Sequence, residues 1–278
     1  MKKQIQTLVY CFAFCLFTNC SSDDDTPVTP TGANKSYELL STNLSDLTGQ
    51  VTFIENTNGS TTISIELDNT VDGINNAVRL RRNTANIGGG IAVNLNDING
   101  NTGTSETTIS KLDNGQEISY EELSEFTGYL SIEGKGDNTG EFYAYTDLGF
   151  NVLTGTKTTY NLFGPDGSIN GLAVFEERKK GTAALTVNIF QISNDTDLPT
   201  SLHLTLENNI EEINHPLNSV KSKQNGFSFN EITEINAVPI TYENLLKLDG
   251  YIEITDINDA MIILSSGGIG SNENAVIN

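Results

Sequence analysis

Few side chains in this chain can do chemistry. Its 278 residues include 3 cysteines, 2 histidines and no tryptophan. The thiols are Cys11, Cys15 and Cys20, and the imidazoles are His203 and His215. A thiol can act as a nucleophile, a metal ligand or an acylation point, and an imidazole as a base or a ligand. Hard oxygen donors are more plentiful. The stretch 94–103 offers Asn96, Asp97 and Asn99, and the stretch 193–197 offers a second such cluster; both carry the donor type that calcium takes. Neither has the EF-hand register with its closing Glu, and Asn/Asp/Gly runs are also what surface turns are made of. The chain has no Gly-x-Ser-x-Gly elbow and no glycine-rich phosphate loop before a helix, and its histidines lack a triad context. Its 36 Asp and Glu residues leave carboxylate-pair hydrolysis open, because tertiary spacing decides that chemistry. His203 reads as a strand residue held by local hydrogen bonds, and His215, next to Pro216, as a loop residue.

At the N-terminus, Lys2 and Lys3 precede an apolar run over 8–17 that is too short to span a membrane and has the flanks of a secretory signal. The run ends at Thr18-Asn19-Cys20, and Ser21-Ser22-Asp23-Asp24-Asp25 follows. This arrangement resembles a bacterial lipoprotein signal, in which the cysteine thiol is acylated and becomes the first mature residue. It departs from that pattern at Phe17 and Asn19, where Leu and a small residue are commoner. The Ser-Asp run resembles the surface-export signal of lipoproteins from the Bacteroidetes group. The resemblance implies a signal peptide over 1–19, lipid attachment (palmitate among the acyl chains) at Cys20, and residence at the outer membrane facing the exterior. Two acyl chains suffice for stable anchoring. The alternative is an ordinary cleaved signal and a soluble secreted adhesin. Cys11 and Cys15 fall inside the signal, so a mature chain has no second thiol for a disulfide and must gain stability from burial.

The formal charge of the chain is −21, and removing 1–19 takes away two lysines and no acid. Such a balance argues against nucleic acid and against attraction to anionic lipid, and it fits a solvated secreted surface. Residues 20–37, with the Asp run and Thr-Pro-Val-Thr-Pro-Thr-Gly, have almost nothing to bury and read as a tether.

From Tyr37 onward, short stretches rich in Val, Ile, Thr, Phe and Tyr alternate with Asn, Asp and Gly clusters, which is the pattern of antiparallel β-strands. Identities recur at a fixed offset of 122 residues, pairing Gly49, Phe53, Glu55 and Gly59 with Gly171, Phe175, Glu177 and Gly181. The block 118–132 likewise matches 240–254. A period of this length fits one small domain made twice. The expected domains are 38–152 and 153–278. Each opens with a hairpin turned at Asn58-Gly59 or Lys180-Gly181. Each later has a short helix, capped at Ser119 or Thr241 and stopped at Gly128 or Gly250. A tyrosine-led strand follows.

This order of elements resembles the chordin-type (CHRD) domain. The opening Gly-x-x-x-Phe strand, the helix and the strand Gly128-Tyr129-Leu130-Ser131-Ile132 carry the resemblance in both copies. Thr139-Gly140-Glu141-Phe142 resembles the family's closing Gly-Glu turn in the first copy only. The resemblance implies an all-β fold of two tandem antiparallel β-sandwiches, Greek-key and superoxide-dismutase-like. It also implies that chemistry, if any, sits at the family's His-x-His strand. Here Arg79 and Arg81 fall on those positions in the first copy, and His203 and Thr205 in the second; a later histidine position falls on Glu133 and Thr255. One imidazole in six positions is too few for a copper or zinc site. Arg79 and Arg81 either pair with Glu133 or point into solvent.

These features together lead to the expectation of a non-enzymatic, surface-exposed lipoprotein without a cofactor. Its partners would be the membrane, through Cys20, and an extracellular protein or glycan. The alternative from another class is a carboxylate- or metal-dependent extracellular hydrolase.

Overall fold

The computed structural model describes residues 28–42, 44–134, 140–190, 197–205, 212–221 and 226–273. Cys20, the signal, the acidic run and residues 193–196 of the second oxygen-rich cluster lie outside them.

Period-two alternation builds the strands. In β3 (Thr61–Asp68), Ile63, Ile65 and Leu67 are buried while Glu66 and Asp68 are exposed. The first half of the chain contains β1 (Pro30–Ser41), β2 (Thr48–Asn56), β3, β4 (Asn76–Arg82), β5 (Ile91–Ile98), β6 (Thr104–Ile109), helix α1 (Tyr120–Ser124), β7 (Gly128–Glu133) and β8 (Phe142–Asp147). The second half contains β9 (Leu153–Phe163), β10 (Ile169–Arg178), β11 (Ala183–Ile189), β12 (Leu198–Thr205), β13 (Glu212–Val220) and β14 (Phe227–Ile232). It continues with a two-stranded β15 (Glu234–Ile235) and β16 (Val238–Pro239), helix α2 (Tyr242–Leu245), β17 (Asp249–Thr255) and β18 (Ile263–Ile269).

Two eight-stranded antiparallel sheets result, in the orders β5-β4-β7-β8-β1-β2-β3-β6 and β13-β12-β17-β18-β9-β10-β11-β14. Strand for strand the orders are the same. The outermost strands are tied by single bridges, Asn99↔Thr104 in the first sheet and Lys221↔Phe227 in the second. Each sheet therefore curls to a nearly barrel-like form around its own apolar core. An edge-to-face aromatic pair recurs in the two cores: Tyr37 on Phe53 at 6.0 Å and 89°, and Tyr160 on Phe175 at 5.8 Å and 84°. Such a pair adds about 0.5–1.5 kcal/mol beyond its burial.

The two hairpin turns form where expected, with Gly59 and Gly181 at φ 80° and 83°. The capping box is present: the Ser119 hydroxyl accepts from the Glu122 N–H, and the Glu122 carboxylate accepts from the Ser119 N–H. Two expectations change. Strand β1 begins at Pro30, inside the stretch read as tether, because Asn34 and Lys35 pair with Ile54 and Phe53; backbone pairing to β2 overrides the polar composition. Gly128 and Gly250 do not stop the helices, which end earlier, at Ser124 and Leu245. They lie in β7 and β17, where a Cβ would sit 2.2 Å from the Arg81 carbonyl oxygen and 2.1 Å from that of His203. Close approach to the neighbouring strand requires glycine there.

Candidate functional site

The residues that the CHRD resemblance sets on its His-x-His positions lie on β4 in the first sheet and β12 in the second. Leu80 and Leu130 face the first core, so the residues beside them face outward. Arg81 meets Glu133 there through Nη2 at 2.7 Å and Nε at 3.0 Å. The Ser131 hydroxyl donates to the same Glu133 oxygen at 2.8 Å, and the guanidinium lies 5.8 Å from the centre of the Phe142 ring. Arg81 Nη1 also donates to the Gly89 carbonyl, which brings loop 83–90 over the pair. The Glu133 side chain is 6% exposed, so this is a covered, hydrogen-bonded ion pair. Arg79 stays out of it and donates to the Val78 carbonyl. Burial pushes the neighbouring Tyr129 hydroxyl above its ordinary pKa, against the pull of Arg81.

In the second sheet His203 stands opposite Tyr251, as Arg81 stands opposite Tyr129. The register makes His203 the counterpart of Arg81, and Ser201 that of Arg79, two residues from the alignment to the family strand. Thr205 lies at the end of β12, opposite Asp249. The imidazole stacks on Tyr251 with centroids 4.5 Å and planes 2° apart, shares a hydrogen bond with the Ser201 hydroxyl at 2.9 Å, and lies 3.8 Å from the Glu253 carboxylate. His215 lies within β13, opposite Leu202, not in a loop. Burial lowers its pKa, with Glu234 pulling the other way.

The first oxygen-rich stretch is structural in its hydrogen bonding. Asn96 and Asp97 belong to β5. The Asn96 amide donates to the Glu106 carbonyl at 2.7 Å, and the Asn99 side-chain oxygen accepts from the Asn101 N–H at 2.9 Å. Among the described residues, no three His, Cys, Asp or Glu side chains converge as ligands of an ion would.

The most covered charged cluster was not legible in any motif, and it joins the two sheets. Arg178, at the end of β10, is 1% exposed. Its Nε donates to the Glu231 carboxylate on β14 at 2.7 Å, and its Nη1 to Asp147 on β8 of the first sheet, also at 2.7 Å. Nη1 donates as well to the Asn151 carbonyl. Lys180 reaches the Asn151 side-chain oxygen at 3.1 Å and Glu231 at 3.3 Å, and Thr182 donates to Glu231 at 3.2 Å. Backbone bonds run alongside, from Lys179 N–H to the Val152 carbonyl and from Lys180 N–H to that of Phe150, each 2.9 Å. The β10–β11 hairpin of the second sheet thus clasps the chain segment that leaves the first. Burial raises the pKa of Asp147 although Arg178 lowers it, and it raises that of Tyr145 nearby, with Asp147 adding to the rise. The one sequence signal was comparative: at the repeat offset Arg178 stands where the first copy has Asn56, itself 2% exposed.

Comparison with protein-family models, with curated proteins and with solved structures found no match for this chain.

Proposed function

We propose that this protein is a surface-exposed outer-membrane lipoprotein, acylated at Cys20, whose two repeats are tandem CHRD-like Greek-key β-sandwich domains serving as a non-catalytic binding or envelope component. The observation that carries the reading is Cys20 itself: an apolar run before it, an acidic run after it, and the first strand opening at Pro30 a few residues on. A lipid there would hold the β-rich body close to the membrane on a short tether. The absence of an enzymatic role in this reading is supported by where the covered charges go. Arg81 with Glu133, and Arg178 with Asp147 and Glu231, are spent on one another in closed pairs. In this reading the two domains are 38–152 and 153–278, which is supported by the two apolar cores drawing on separate residues, Val152 packing against the first and Tyr160 belonging to the second.

The hydrolase reading has one feature in its favour, an open groove of about 610 Å³ over β1, β2 and β3 lined by Glu38, Glu66 and Asp68. Glu66→Gln leaves a binding protein's ligand uptake and fold intact, whereas it abolishes turnover in a carboxylate hydrolase. The anchoring reading is tested by metabolic labelling with palmitate. Label on the native chain and none on Cys20→Ala is the expected result, and an unlabelled native chain removes the anchor.

A further inference from the structure

The repeats provide an internal control, because each outward residue of β10, β11 and β14 has a counterpart in β2, β3 and β6. The rows read Leu172↔Asn188↔Phe227 against Gln50↔Glu66↔Thr104, and Val174↔Thr186↔Phe229 against Thr52↔Ser64↔Glu106. The residues between them, Ala173, Phe175, Leu185 and Val187, fill the second core, so both rows face outward. Four positions that are polar in the first repeat are therefore Leu, Val, Phe and Phe in the second. Just beyond β11, Phe190 takes the place of Asp68 at the repeat offset. Phe229 and Phe190 are 38% and 42% exposed, and the rings of Phe227 and Phe229 lie parallel, 5.9 Å and 4° apart. The same sheet forms in the first repeat with Gln50, Thr52, Thr104 and Glu106 in these places, so folding does not call for the apolar set. Leu172, Val174 and Phe227 are half-buried beside Phe229 and Phe190, and a partly exposed apolar face of this kind marks an interaction site.

Two observations decide the occupant. The next row along the same face, Glu176↔Ala184↔Glu231, runs into the Arg178 cluster, where the first repeat of the same chain already covers it. Among the described residues, the face is thus an interface along one end and open along the other. The second observation is charge. The chain carries a net −21, yet the two open rows contain no ionisable side chain. Two copies can bring these rows together without opposing acids. Meeting the first repeat's face instead would bury Glu66 and Glu106 against phenyl rings without a partner, and burial of an unpaired charge strongly disfavours that contact. We infer that the outward face of β10, β11 and β14 is a self-association surface, on which a second copy of this chain docks by the same face around a two-fold axis. Such an isologous contact closes at a dimer.

The test places one cysteine at the centre of each face of the full-length chain on intact cells. With a short bismaleimide, Thr186→Cys is expected to give a product of about twice the chain mass, while Ser64→Cys and the chain without an added cysteine give none. Adding Phe229→Glu, which supplies the acid that the first repeat carries at that position, is expected to remove the product. As a check independent of the new cysteine, the native protein in detergent should have about twice the protein mass of its Phe229→Glu variant by light scattering. Equal cross-linking at both faces, or none at Thr186→Cys together with a monomeric native mass, overturns the inference. A monomer that binds surface polysaccharide through Phe227 and Phe229 overturns it in favour of a glycan face.

Discussion

Arg178 shows what a single residue contributes to this molecule. Its guanidinium is covered and holds two carboxylates from different sheets, so removing it leaves Asp147 without its cation and Glu231 with Lys180 alone. Breaking a buried pair from one side costs about 3–5 kcal/mol, and Arg178→Met is expected to lower stability by that order in denaturant titration. Asp147→Asn should be far milder, because burial already disfavours its charge and Glu231 still pairs with the arginine. The pH dependence has a definite sign. An acid whose folded pKa is raised contributes stability that is fully present below the ordinary value of 3.8 and is lost as pH rises through the folded value. Relative to Asp147→Asn, the native chain should therefore lose stability as pH rises through that window; a gain would mean that Arg178 outweighs burial at this site. Glu133→Gln removes the charge that Arg81 and Ser131 share and should cost about 1.5–3 kcal/mol, the range for hydrogen bonds to a charged group. An unchanged melting temperature would mean that the pair contributes nothing to folding. The sequence offers Glu133 as one of two outcomes for the arginines; the pairing register sets both on the outward face, and the side-chain hydrogen bonds select Arg81 over Arg79.

At the scale of elements, local chemistry was the legible part. Asn58-Gly59 and Lys180-Gly181 fix hairpins through backbone angles that need no tertiary help, and Ser119 with Glu122 starts a helix within four residues. Signals that depend on a neighbour were misread. Asn34 to Ser36 look like tether until β2 lies alongside to pair with them. His215 looks like a loop residue beside a proline until β13 pairs with β12. Gly128 and Gly250 look like helix stops, yet their spacing from the helix matters less than the carbonyl oxygens that approach them from β4 and β12. Gly250→Ala is accordingly expected to destabilise the second repeat by about 1–3 kcal/mol or more through overpacking. Gly115→Ala, which has open space but a φ of 85°, isolates the cost of conformation alone. Equal losses at the two positions would contradict the close-approach account.

In the whole molecule, one sheet order has been made twice and then differentiated. The offset of 122 residues revealed the duplication, and the two identical strand orders agree with it. How the copies meet was not readable, because the joining residues are those that differ between copies: Arg178 for Asn56 on the hairpin, and Glu231 for Thr108 opposite it. With that clasp intact, the two repeats should unfold in a single calorimetric transition, and Arg178→Met should split it into two. Two transitions in the native chain would mean that the clasp does not couple the cores. Anchoring belongs to this scale as well, since the proposed acylation of Cys20 would hold the acidic surface at the membrane. The most direct test of the account is protease added to intact cells carrying the native protein and Cys20→Ala. The native chain is expected to be cell-bound and removed by the protease, with Cys20→Ala released to the medium. A native chain that stays cell-bound and untouched until the outer membrane is breached would contradict display on the surface.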